Sequence, residues 1–189
     1  MKIKWQGKFD GNVASLPQRE HMPGAVKFKE FEDPRKMGIF MNIVACAVII
    51  VLLVLVFIHC GFREGYVWGF ILPMAALIPH EFLHAICFKQ EAFIYTNLKN
   101  GMLFVVGLEE MSRARFIFMS LLPNILFGFI PFLIGMISPE LGGFAVFGAL
   151  SIGMGVGDFY NVINALTQMP KDARTYLSGF NSYWYMPRV

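Results

Sequence analysis

An all-α membrane protein of about four transmembrane helices, with a small β-hairpin between helices 2 and 3, is the fold class that three features predict. The chain is 56% hydrophobic and only 15% charged, whereas about a quarter of an ordinary soluble domain is charged. It holds apolar runs long enough to cross a hydrocarbon core of roughly 30 Å. Its lysines and arginines fall almost entirely on one side of those runs, as in chains oriented by positive charge.

Residues 1–38 are polar and of mixed charge, with Pro17, Pro23 and Pro34, and read as an irregular or partly ordered cytoplasmic segment. They are not a signal peptide, because the first apolar run begins too late and is too long. Residues 37–62 contain no Asp, Glu, Lys or Arg, which places helix 1 at about residues 39–60. A short turn with Arg63 and Glu64 leads to helix 2, about residues 66–88. Two β-prone runs, 93–96 and 102–106, flank Asn100-Gly101 and predict a hairpin. Its edges cannot face lipid, so it should lie at the interface or against the helices. Helix 3 is expected at about residues 116–137 and helix 4 at about 143–166, with Met169-Pro170 as its end. This organisation gives a cytoplasmic N-terminal segment (1–38), a membrane-embedded domain (39–170) and a cytoplasmic tail (171–189).

With both termini inside, the inner segments hold 8 Lys and Arg in residues 1–38, 4 in residues 89–115 and 3 in residues 167–189, leaving Arg63 outside. That bias favours both termini in the cytoplasm. The net charge of +3 without a long basic run argues against nucleic acid as a partner. Cys46, Cys60 and Cys87 are odd in number, lack metal-type spacing, and read as buried thiols.

Helix 2 ends in Pro79-His80-Glu81-Phe82-Leu83-His84. Histidines four apart share one helix face and can hold one zinc ion. Glu81 sits beside them, where a general base must be to take a proton from a metal-activated water. Pro79 has no N–H to give the carbonyl of Ala75, so the helix is expected to bend or restart there. Ionisable residues inside a span are costly and mark functional sites. Catalytic zinc needs a third protein ligand, and Asp158, the acid inside helix 4, is the candidate. His80, Asp158 and Asn124 each lie eight residues from the inner end of their helix, at a common depth of roughly 12 Å. Asn124 and Asn161 are placed to orient ligands or hold a substrate carbonyl, or to bond between helices. Glu91, Glu109 and Glu110 are rival ligands in the polar loop. Ala149, Gly153 and Gly157 could let helix 4 approach helix 2 closely.

HEFLHA in a membrane helix, Gly157-Asp158-Phe159-Tyr160-Asn161 downstream and a hairpin between them resemble the site-2 protease class of intramembrane metalloproteases. More closely, about residues 66–170 resemble a bacterial family of small membrane proteins described as putative zincin peptidases. In site-2 proteases a glycine follows the aspartate; here Phe159 does. The resemblance implies one Zn2+ per chain, His80, His84 and Asp158 as ligands, Glu81 as base, and a substrate-pairing strand within residues 93–106. The expected partners are the lipid bilayer and a membrane-protein or peptide substrate, in the bacterial cytoplasmic membrane. Two other functions fit the residues: metal or proton transport through the His/Glu/Asp cluster, and a non-enzymatic scaffold. Four spans without an inverted repeat argue against the transporter.

Overall fold

The computed structural model describes residues 2–97 and 102–187. Helices dominate it. α1 (Pro34–Cys60) starts at Asp33, whose side chain accepts from the Arg35 N–H, and ends at Gly61, whose φ of 71° suits a residue without Cβ. α2 (Val67–Ile86) carries Pro73 and Pro79 inside one uninterrupted helix. The expected restart at Pro79 does not occur; the lost ladder bond is absorbed within the helix.

α3 (Arg113–Pro123) passes through one wide π-type turn, Asn124–Phe129, into α4 (Ile130–Ile137). Pro131 lacks the N–H that would bond to Phe127, a local reason for the irregular ladder. The segment expected as one helix 4 is instead two helices, α5 (Gly142–Met154) and α6 (Val156–Gln168), bent by 55° at Gly155. The Asn124 side chain occupies the space there: a Cβ on Gly155 would lie 1.7 Å from Asn124 Oδ1.

Three helices are long and apolar enough to cross a membrane, and the bent pair adds a fourth if it counts as one span. Their outer faces carry large aliphatic side chains, such as Ile43 at 64% exposure, Ile58 at 79% and Ile71 at 65%. Side chains of that size, so exposed over several helices, suit contact with lipid. Gly69 of α2 lies against α5, where a Cβ would come 2.5 Å from the Gly143 carbonyl. The stripe of small residues expected to bring helix 2 to helix 4 does otherwise. Gly153 abuts Ile49 and Ala45 of α1, and a Cβ on Gly157 would meet nothing within 4 Å.

The β structure exceeds the single hairpin expected. β1 (Lys2–Lys8) runs parallel to β3 (Glu91–Asn97), which pairs antiparallel with β4 (Met102–Val106) in register Phe93↔Val106 to Asn97↔Met102. The Asn100-Gly101 turn lies outside the described residues. A second sheet has the order β2 (Val26–Lys27), β7 (Asn181–Tyr185), β6 (Arg174–Ser178), β5 (Met111–Ser112). The N-terminal segment, expected to be irregular or partly ordered, contributes a strand to each sheet. These pairings gather the start of α1, the end of α2, the start of α3 and the end of α6 at one end of the bundle. There a core of Ala85, Phe88, Ile94, Phe116, Met119 and Ala165 joins sheet to helices. Of the three cysteines, all free, Cys60 is buried, Cys87 is partly buried and Cys46 is exposed on the outer face, so the expectation of three buried thiols holds for Cys60 alone.

Candidate functional site

The last two turns of α2 present His80 and His84 on one face, with their Nε2 atoms 3.2 Å apart. The break at Gly155 sets Asp158 in the first turn of α6, where the helix dipole favours an anion. Its two oxygens meet the two imidazoles: Oδ2 lies 3.1 Å from His80 Nε2 and Oδ1 lies 3.1 Å from His84 Nε2. A side chain 74 residues further along the chain is thus brought to the motif by packing of α6 on α3 and α3 on α2.

Hydrogen bonds behind these atoms fix their chemistry. His84 Nδ1 is 3.0 Å from the Met119 carbonyl. A carbonyl only accepts, so Nδ1 carries the proton and, in a neutral ring, Nε2 carries the lone pair. Asn124 Nδ2 donates to Asp158 Oδ2 at 2.7 Å and to the Ser120 carbonyl at 3.1 Å. The arrangement aims lone pairs of two imidazoles and a carboxylate at one another, which is favourable only with a proton or a cation between them. Tetrahedral zinc with ligands at roughly 2.0–2.1 Å separates its ligand atoms by about 3.3 Å. The separations of 3.1, 3.1 and 3.2 Å are close to that. The donor set therefore fits zinc.

Glu81 is buried beside the pair, and its carboxylate lies within 4.8 Å of ligand atoms on both histidines. It offers a second possible triad, but Asp158 approaches both imidazoles more closely, which leaves Glu81 free for another role. Asn161 lines the same cavity and has no hydrogen bond to Asp158 among the described residues, unlike Asn124. The rival acids are engaged elsewhere. Glu91 pairs with Lys4 at 2.9 Å. Glu109 accepts from the backbone N–H of Gln90 and pairs with Arg115. Glu110 pairs with Arg19 at 2.8 Å and accepts from Tyr185. Burial works to raise the Glu110 carboxyl, but the Tyr185 hydroxyl and the Arg19 guanidinium outweigh it and hold it below the usual range. Burial, then the bond to Glu110, pushes the Tyr185 hydroxyl up to about 12.

The site opens into a cavity of about 300 Å³. One wall is Leu103–Val106 of β4, the last strand in the order β1-β3-β4. Sequence reasoning missed the Met119 carbonyl, Ser120 and Glu30 at this cavity. The four-residue spacing of Ser120 and Asn124 was the one available signal. Residues 73–174, more than half of the chain, match the model of a family described as "Putative zincin peptidase". No curated protein and no solved structure matches the chain.

Proposed function

The chain belongs to the family described as "Putative zincin peptidase", and from that premise we propose that it is an intramembrane zinc metalloprotease, of the site-2 kind, that cleaves membrane-associated substrates near the cytoplasmic face. The observation that carries this reading is the convergence of His80, His84 and Asp158 to 3.1–3.2 Å with Glu81 buried beside them.

His80, His84 and Asp158 would hold one zinc ion per chain. Bound there, zinc supplies a water made acidic enough to ionise near neutral pH and a Lewis acid for the scissile carbonyl. Glu81 takes the proton from the attacking water and delivers it to the departing amine nitrogen. The Met119 carbonyl holds the His84 tautomer, and Asn124 holds the Asp158 carboxylate in place. Asn161, which lines the cavity, would donate to a substrate carbonyl.

An unfolded stretch of substrate can pair with the edge of β4 opposite β3, which no strand covers among the described residues, so its main chain provides much of the binding and sequence preference stays loose. The protein would lie in the bacterial cytoplasmic membrane with both termini inside, as the Lys and Arg distribution favours. Use of the same cluster for metal or proton transport is the alternative. The test is a comparison of membrane-protein fragments between cells expressing wild-type and Glu81→Gln protein. Fragments present only with the wild type support proteolysis. Their absence, with zinc-loaded wild-type protein present, would favour a binding or transport role.

A further inference from the structure

Glu30 lines the cavity that holds His80 and Glu81, yet it comes from a different part of the fold, between β2 and α1. Its Oε1 accepts from the Ser182 backbone N–H at 2.7 Å and from Asn181 Nδ2 at 3.2 Å. These bonds clamp the carboxylate against the start of β7. Its Oε2 has no donor, and no Lys or Arg pairs with it, among the described residues. Lys27, three residues earlier, forms its ion pair with Glu32 at 3.2 Å, and Lys29, the preceding residue, is exposed. Burial pushes the Glu30 carboxyl up from its ordinary value, against the pull of its bonds to Ser182 and Asn181 and of the Lys27 charge.

The cavity that Glu30 lines also has apolar side chains in its wall, among them Met37 and Met41 of α1 and Phe180 of the β6–β7 turn. A partly buried carboxylate that has only the distant charge of Lys27 and no direct ion pair is costly. The cost is offset when a ligand brings the opposite charge into the same cavity. Glu30 is also the lining acid that neither zinc binding nor proton transfer uses.

Resting on the proteolytic reading above, we propose that Glu30 is a specificity-determining residue that selects substrates with a lysine or arginine side chain in the stretch of chain bound in this cavity. The main-chain pairing along β4 is indifferent to sequence; Glu30 adds one charge requirement to it. A purely structural Glu30, serving only to cap the β6–β7 turn, would impose no such preference.

The test uses full-length, zinc-loaded protein in liposomes. A single lysine is walked along a neutral, membrane-tethered peptide, and each peptide is compared with its norleucine and glutamate counterparts. Cleavage is followed with the wild type, and binding by fluorescence anisotropy with Glu81→Gln protein. At one or two adjacent positions lysine should be favoured over norleucine by about tenfold or more in KM and in Kd, the usual gain of a hydrogen bond to a charged group. Glu30→Gln retains the Oε1 acceptor for Ser182 and should bring that ratio close to one. Glu30→Lys should turn the preference toward glutamate. A wild type that favours lysine nowhere overturns the proposal, whether or not the variants fold, and so does a Glu30→Gln protein with an unchanged ratio. If nothing is cleaved but the lysine preference in binding remains and depends on Glu30, the proteolytic reading fails and the cation subsite stands.

Discussion

Asn124 donates a 2.7 Å hydrogen bond to Asp158 Oδ2, the same oxygen that lies 3.1 Å from His80 Nε2. One amide on the span that begins with α3 therefore aims the carboxylate of α6 at the face of α2 that carries His80 and His84. Partners of this kind typically change metal affinity by roughly 10–100-fold when removed. Asn124→Ala should lose zinc to a competing chelator at a concentration lower by about that factor, with little change in helicity. An unchanged chelator midpoint would mean that Asp158 is positioned by packing alone.

Gly155 makes that contact possible, since a Cβ there would lie 1.7 Å from Asn124 Oδ1. Gly155→Ala must displace Asn124 or reopen the helix bend. It should cost about 1–3 kcal/mol of stability and weaken zinc binding together with it. Gly38→Ala in α1, where a Cβ meets nothing within 4 Å, is the control and should leave both properties as they are. Thermal unfolding in detergent, followed with and without zinc, reads both.

The third ligand is decided by metal content. Asp158→Ala should lose most of the zinc from purified protein. Glu91→Ala, Glu109→Ala and Glu110→Ala should retain about one ion per chain, because those carboxylates are bonded to Lys4, Arg115 and Arg19. Full zinc in Asp158→Ala, with loss in one of the loop variants, would reassign the ligand.

Much of this was legible in the sequence, and the unread parts share one cause. A run of residues 37–62 without charge forces a long apolar helix, and histidines four apart must share a face, so α1 and the His80–His84 pair follow from local rules. Depth counting also placed Asp158 and Asn124 at the level of His80. The bend at Gly155 was not legible, because it depends on the Asn124 side chain arriving from another helix. The strand Lys2–Lys8 pairs with residues about ninety positions away, and Val26–Lys27 has only two residues, too few for alternation to show. Glu30 was unreadable for the same reason: its place in the cavity is set by pairing between the two ends of the chain.

β4 ends its sheet beside the cavity. Successive N–H groups along a strand point alternately to the paired and to the free edge, and proline removes one N–H. Of Phe104→Pro and Val105→Pro, one should break pairing with β3 and lower the unfolding temperature. The other should leave folding and zinc intact but raise KM for a tethered substrate. Wild-type KM in both would remove strand pairing from the account.

The sheets tie the N-terminal strand, the β3–β4 region and the C-terminal hairpin to one end of the bundle. Single cysteines introduced at residues 63, 100 and 172, in a background without the native three, should divide accordingly. A membrane-impermeant reagent applied to intact cells should label only residue 63. Labelling at residue 172 would place the C-terminus outside and contradict the arrangement.

We propose Glu81 as the base of a zinc-dependent hydrolysis. Glu81→Gln keeps the size and polarity of the side chain, removes its capacity to take a proton, and leaves His80, His84 and Asp158 untouched. With zinc content matched to the wild type at about one ion per chain, its cleavage of a membrane-tethered substrate should be slower by at least roughly a hundredfold, the low end of what a positioned general base contributes. Equal cleavage rates at equal zinc content would contradict the account.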